Sequence, residues 1–116
     1  MKILVTGGAG YIGSGCVDVL VKNGHSVVVF DNLSTGQREK VSSGALLLEG
    51  DLTDSKSVMD VCEEYQFDAV MHFAAKKAVG ESEVNPTLYF ETNVVGTFNL
   101  LQAIEKFNIP KLIFSS

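Results

Sequence analysis

Short, uninterrupted apolar runs alternate along this chain with longer stretches in which apolar residues recur every three or four positions. The runs Ile3-Leu4-Val5, Val27-Val28-Val29-Phe30, Leu46-Leu47-Leu48, Ala69-Val70-Met71 and Leu112-Ile113-Phe114 show no polar alternation, which marks strands covered on both faces. They predict strands over residues 2–6, 26–31, 45–49, 68–73 and 111–115. Helical spacing predicts a helix over 11–23, stopped by Asn23-Gly24. A second helix runs from Asp54-Ser55 to about Tyr65, with Val58, Val61 and Cys62 on its inner face. A third is opened by Asn85-Pro86 and runs to about Phe107, with proline at its first position. Its stripe is Leu88, Val95, Phe98, Leu101 and Ile104; Val94, Leu100 and Ala103 widen it, so this helix is expected to pack on more than one neighbour. Asn32 to Ser43 is polar and reads as a loop with room for one helical turn. Lys76 to Val84 is a mostly polar loop.

Strands joined by helices imply a parallel sheet with right-handed crossovers. The expected architecture is a doubly wound α/β domain with strand order 3-2-1-4-5 and a ligand crevice between strands one and four. Neither repeats nor a linker divide the chain, so residues 1–116 read as one domain.

The first turn carries the chemistry. Gly7-Gly8-Ala9-Gly10-Tyr11-Ile12-Gly13 follows strand one directly. Gly8, Gly10 and Gly13 satisfy G-x-G-x-x-G, and Gly7, Gly10 and Gly13 a looser G-x-x-G-x-x-G. Such a turn lets backbone approach a pyrophosphate, while the free amides and dipole of the next helix favour an anion. Glycine turns are common, so context decides: a strand precedes, a helix follows, and Asp31 stands eighteen residues past Gly13 at the end of strand two. A carboxylate there can accept from both ribose hydroxyls of an adenosine and would repel a 2′-phosphate. With no arginine immediately after it, Asp31 points to NAD rather than NADP. The plainer alternative, a strand-end acid in solvent, does not account for both the spacing and the placement.

Composition narrows the field. A net charge of −5 with Lys76-Lys77 as the only adjacent basic pair argues against nucleic acid. No apolar stretch approaches the ~20 residues that span a bilayer, and Met1-Lys2 leads into a strand rather than a signal peptide. Cys16 and Cys62 fall in predicted helices without metal spacing, so no metal is expected. They read as free, largely buried thiols of a reducing cytoplasm.

Seven segments, in order along the whole chain, resemble the amino-terminal part of the UDP-glucose 4-epimerases, within the extended short-chain dehydrogenase/reductase group. They are Thr6-Gly-Gly-Ala-Gly-Tyr-Ile-Gly13, Asp31-Asn-Leu-Ser34, Gly50-Asp51-Leu52, His72-Phe-Ala-Ala75, Lys77-Ala-Val-Gly-Glu-Ser82, Asn93-Val-Val-Gly-Thr97 and Ile113-Phe-Ser-Ser116. The Lys77 segment is the more specific one. It is similar to the epimerase version rather than the sugar-nucleotide 4,6-dehydratase version.

The resemblance implies a Rossmann-type NAD-binding domain, cut after strand five, and a set of cofactor contacts. Gly7, Gly10, Tyr11, Ile12 and Gly13 would lie against the pyrophosphate. Asp31, Asn32, Leu33, Ser34, Thr35 and Gly36 would surround the adenosine ribose, and Asp51 and Leu52 would contact adenine. Phe73, Ala74, Ala75 and Lys77 would line the nicotinamide side, with Asn93 reaching in from the long helix. The implied activity is epimerisation at C4 of a UDP-hexose, UDP-glucose to UDP-galactose, with NAD carrying the hydride. The expected catalytic serine or threonine and the Tyr-x-x-x-Lys pair lie beyond Ser116, as does the domain that holds the UDP-sugar, so no catalytic residue is assigned here. Tyr65 and Tyr89 do not stand in that motif. Gly15 departs from the family, which has a larger residue there. This chain alone is therefore expected to be inactive.

A non-enzymatic reading stays beside this one: a dinucleotide-binding module that works by association. It predicts a homodimer or self-association through the long helix 86–107 or the edge of strand 111–115. His72 at a strand end reads as packing or backbone hydrogen bonding. Lys77 reads as a cofactor contact rather than a solvated loop charge, and Asn93 as a contact rather than polar surface, because helix interiors disfavour asparagine. Glu81 and Ser82 would fix the loop or cap the next helix, and Ser115 and Ser116 would fray.

Overall fold

The structure is a computed structural model that describes residues 1–33, 38–73 and 86–114. The loop from Lys76 to Val84, with Glu81 and Ser82, lies outside those residues, as do Ser115 and Ser116. Its elements follow the sequence closely. Strand β1 is Lys2–Thr6, helix α1 Tyr11–Lys22, β2 Ser26–Asp31, β3 Leu46–Glu49, α2 Ser55–Tyr65, β4 Ala69–His72, α3 Pro86–Lys106 and β5 Lys111–Phe114. A single 3-10 turn, Arg38–Lys40, falls in the polar stretch after β2. The five strands form one parallel sheet in the order β3-β2-β1-β4-β5, as the alternation of elements predicts.

Helix ends are set by specific groups. Asp54 caps α2, accepting from the Ser57 amide and, at 2.9 Å, from the Ser57 hydroxyl, and these bonds hold its carboxyl below the usual range. Gly24 takes φ +84° behind α1, and its amide returns to the Val21 carbonyl at 3.0 Å. The left-handed Gln66 and Asn108 end α2 and α3 in the same manner.

Each face of the sheet buries its own cluster. Ile3, Val5, Val27, Val29, Ala69 and Phe73 pack with Val17 of α1. On the opposite face Leu4, Val28, Phe30 and Val70 meet Val58 and Cys62 of α2 and Leu100 and Ala103 of α3. Burial pushes the Cys62 thiol up to about 11, so it stays protonated and packs as a small apolar group. Cys16, half-buried, is free as well. Among the described residues no helix is long and apolar enough to cross a membrane.

Helix α3 departs from the sequence reading. Its buried side runs through Gly96, Asn99, Leu100 and Ala103, whereas Val94, Val95, Phe98 and Leu101 are exposed. The helix is apolar on most of its circumference, so periodicity could not tell which side meets the sheet. Gly96 and Asn99 lie on that side because they meet Leu52 in the loop after β3, one by close contact and one by a hydrogen bond, while the helix packs on α2. β5 ends the sheet with Leu112, Ile113 and Phe114 exposed.

Gly15 is exposed on α1, and a Cβ added there would meet nothing within 4 Å. Gly15→Ala should therefore stabilise the chain by about 1 kcal/mol. Thermal unfolding should show the midpoint raised by about 4 °C; an unchanged or lower midpoint would contradict this account of α1.

Candidate functional site

The sheet closes on one transverse row. Register aligns Leu48, Phe30, Thr6, His72 and Phe114 across all five strands. The expected cofactor segments that follow strands begin one or two residues beyond this row, at Gly7, Asp31, Gly50 and Phe73, at the carboxyl ends of parallel strands; Asn93 lies apart from them, on α3. Backbone bonds extend the ladder into the loops: Gly7 N–H donates to Phe30 O (3.1 Å), Phe73 N–H to Thr6 O (2.8 Å) and Gly50 N–H to Asp31 O (3.0 Å). Parallel pairing thus brings the turns after β1, β2, β3 and β4 to one edge.

The glycines of the first turn have separate duties. Gly7 takes φ +78°. A Cβ on Gly13 would lie 2.3 Å from the Gly7 carbonyl oxygen, so α1 can begin this close to the turn only with glycine there. One on Gly8 would lie 2.7 Å from Val29 Cγ1. Gly10 is different, since its added Cβ would meet only Gly7 O at an ordinary 3.5 Å. That side of the turn is open. Gly10 is also the N-cap of α1, with no side-chain cap and no acid in the first turn. The first intrahelical bond is Ser14 N–H to Gly10 O (2.9 Å), so the amides of Tyr11, Ile12 and Gly13 precede the ladder and are available to an anion. Ile12 is exposed beside them.

Asp31 does more than the sequence suggested. It is buried, and its two oxygens accept separate amides: Oδ2 from Ala9 N–H at 3.0 Å, inside the glycine turn, and Oδ1 from Leu33 N–H at 2.8 Å. The carboxylate therefore fastens the end of β2 to the turn after β1. A carboxylate has about four lone-pair sites, so two remain for hydroxyl donors. Leu33 sits at φ +61°, a left-handed conformation unusual for leucine and held by that bond. The first-turn amides and the Asp31 carboxylate form one continuous surface suited to a phosphate and a diol.

The remaining expected residues divide. Asn32 is exposed just past β2, Asp51 is exposed and Leu52 half-buried just past β3. Asn93 is half-buried on α3, one turn before Gly96, which packs against Leu52. Phe73 follows β4, but its side chain is committed to the core against Val5 and Val17. Ser34, Thr35, Gly36, Ala74, Ala75 and Lys77 lie outside the described residues, as does the side chain of Tyr11.

His72 bonds side chains rather than backbone. Its Nδ1 is 2.6 Å from Thr6 Oγ1 and its Nε2 is 3.3 Å from Thr97 Oγ1 on α3, with the Phe114 ring tilted against it at 5.1 Å. It thus links β1, α3 and β5 directly beneath the site. Sequence reasoning missed Asn99 altogether. It is buried on α3, and its Nδ2 donates to Leu52 O at 2.8 Å. The available signal was two asparagines and a glycine, Asn93, Gly96 and Asn99, spaced three apart on one helix.

Comparison with known proteins agrees with this geometry. The sequence matches the NAD dependent epimerase/dehydratase family over residues 3–116. The chain belongs to that family. One epimerase/dehydratase family relative, a UDP-glucose 4-epimerase of Corynebacterium glutamicum, is 48% identical over 116 residues, covering 100% of this chain and 35% of that protein. The UDP-glucose 4-epimerase of Thermotoga maritima, solved with UDP-glucose, superposes with a TM-score of 0.96 at 40% identity, covering 100% of this chain and 38% of that one. The Thermus thermophilus enzyme, solved with NAD, gives 0.94 at 43% identity, with 100% and 37% covered. The chain thus spans about 35% of the length of the first curated relatives it matches.

Burial holds the His72 imidazole below its ordinary pKa. The unfolded chain then binds a proton, near pH 6.5, before the folded chain does. Stability should be full above about pH 6.5 and fall as pH drops from there toward the lower, folded-state pKa. Urea unfolding at pH 7.5 and 5.5 should show this fall, and His72→Asn should reduce it. Equal pH dependence in the two proteins would contradict the assignment.

Proposed function

We propose that this chain is the NAD-binding part of a UDP-hexose 4-epimerase and that residues 1–116 form its dinucleotide domain. One observation carries the reading: the buried Asp31 carboxylate is bonded into the same glycine turn that presents the uncapped amides of α1. That unit fits a pyrophosphate next to an adenosine ribose. The amides of Tyr11 to Gly13 would hold the pyrophosphate, and Asp31 would take the ribose hydroxyls on its unused lone pairs. Asn32 and Leu33, with Ser34, Thr35 and Gly36, would enclose that ribose. Asp51 and Leu52 would meet the adenine. The Phe73 backbone, Ala74, Ala75, Lys77 and Asn93 would face the nicotinamide half.

When bound, NAD supplies a reversible hydride acceptor for C4 of the sugar. What this chain contributes is binding and orientation. Proton transfer needs a positioned acid–base group, worth about 10²–10⁴-fold. The tyrosines of these 116 residues, Tyr11, Tyr65 and Tyr89, are followed four positions later by Gly15, Ala69 and Asn93, so none begins a Tyr-x-x-x-Lys. The 116-residue chain alone is therefore inactive in this reading, and detectable interconversion of UDP-glucose and UDP-galactose by it would refute that. The free thiols of Cys16 and Cys62 suit a reducing cytoplasm.

An association role is favoured by a second observation. Val94, Phe98 and Leu101 of α3 and Leu112, Ile113 and Phe114 of β5 are exposed, and β5 is a sheet edge. The isolated chain should self-associate through this surface. Sedimentation at high concentration would show it, and a persistent monomer would count against it.

The cofactor reading is tested by calorimetric titration of the chain. NAD⁺ should bind, and NADP⁺ at least tenfold more weakly, because a 2′-phosphate would meet the Asp31 carboxylate. Asp31→Asn should narrow that ratio. Equal affinity for the two dinucleotides, or no binding of NAD⁺, would overturn the reading.

A further inference from the structure

We propose that Asn99, together with Gly96, is a positioning residue for the adenosine end of the crevice, acting through the backbone of Leu52. The proposal rests on the dinucleotide reading above. It adds a determinant of affinity that lies in the helix layer.

The observations converge on one loop residue. Asn99 is only 6% exposed in the middle of a long helix, where asparagine is otherwise unfavourable. A buried amide needs a partner, and its Nδ2 finds the Leu52 carbonyl at 2.8 Å. One turn earlier, a Cβ on Gly96 would stand 3.0 Å from Leu52 Cβ. That glycine lets the α3 backbone reach the loop. Two successive turns of α3 therefore grip the same residue, one by hydrogen bond and one by contact.

The loop is short and fixed at its other points. Gly50 N–H donates to the Asp31 carbonyl at 3.0 Å, which ties the loop to the residue whose carboxylate faces the ribose. Asp51 Oδ1 accepts from Thr53 N–H at 2.9 Å, and Asp51 O from Asp54 N–H at 3.0 Å. Leu52 is held by neither of these ties; its side chain packs against the core, and its carbonyl is held by Asn99. Without that bond the carbonyl loses its partner and the Asp51–Leu52 segment can shift relative to Asp31. Asn93, on the same helix one turn before Gly96, would then be linked to both halves of the cofactor through a single rigid element.

The test compares the 116-residue chain with Asn99→Leu, which keeps volume but has no donor, and Asn99→Asp, which sets a carboxylate against the carbonyl. Each is titrated with NAD⁺, with ADP-ribose, and with nicotinamide mononucleotide, which lacks adenosine. Circular dichroism and urea midpoints establish that each is folded at the titration temperature. Asn99→Leu should bind NAD⁺ and ADP-ribose about tenfold more weakly, and Asn99→Asp more weakly still, while nicotinamide mononucleotide is unaffected. Amide exchange at Thr53 and Asp54 should quicken without change at Val29 or Val70. Gly96→Ala, which presses on Leu52 while favouring the helix, should reproduce the adenosine-selective loss and serves where Asn99→Leu does not fold.

A folded Asn99→Leu or Gly96→Ala chain with wild-type affinity for NAD⁺ and ADP-ribose would overturn the proposal. So would equal weakening of all three ligands, the mark of a merely structural residue. If the unmutated chain binds none of them, the dinucleotide reading itself fails and this inference falls with it.

Discussion

The bond between the Asp31 carboxylate and the Ala9 amide is the constraint on which the site depends. Strands β1 and β2 are already paired along their length, but pairing fixes only the sheet. The turn after β1 must also hold a shape that keeps Gly7 left-handed and lets α1 start against the Gly7 carbonyl. A buried carboxylate with one oxygen on each of two loop amides achieves this, because moving either loop would strand a desolvated charge or a buried N–H. In the proposed reading, the group that orders the turn is also the one that would face the ribose. The proposed binding surface would therefore be organised before any ligand arrives.

Beneath this lies the row that ends the sheet. Thr6 and His72 face the α2–α3 side, where His72 reaches Thr97, while Asp31 faces the glycine turn. Alternation of side chains along each strand thus separates two tasks. One face anchors α3 to the sheet and the other shapes the glycine turn. The two meet again in the loop after β3, where the Asp31 backbone and the Asn99 side chain hold neighbouring residues.

Much of the fold was legible because fully apolar strands and helical spacing leave few topologies. The boundaries of β1 and β2 match to the residue, β3 and β4 lose only one or two at their ends, and β5 agrees over its described residues. Asn23-Gly24 and Asp54 declared helix ends through known backbone chemistry. Spacing alone singled out the glycine turn and Asp31 as the candidate site, and the structure bonds the two together. The other half of Asp31's work was not, because a sequence does not show which amides a carboxylate will meet. Helix α3 was misread for a related reason. Its large residues Val95, Phe98 and Leu101 outweighed Gly96 and Asn99 in any hydrophobic pattern, yet the small and polar side packs inward. Phe73 follows β4 directly, but its ring belongs to the core.

The central claim is that one unit, made of the glycine turn and Asp31, receives the dinucleotide. The most direct measurement is the change in backbone amide resonances of the isotopically labelled chain as NAD⁺ is added. The account predicts saturable shifts concentrated at Ala9, Gly10, Tyr11, Ile12, Gly13, Asn32 and Leu33, with smaller ones at Asp51 and Leu52 and none along the Arg38–Lys40 turn. Shifts elsewhere with these amides unmoved, or no shifts at saturating NAD⁺, would contradict it.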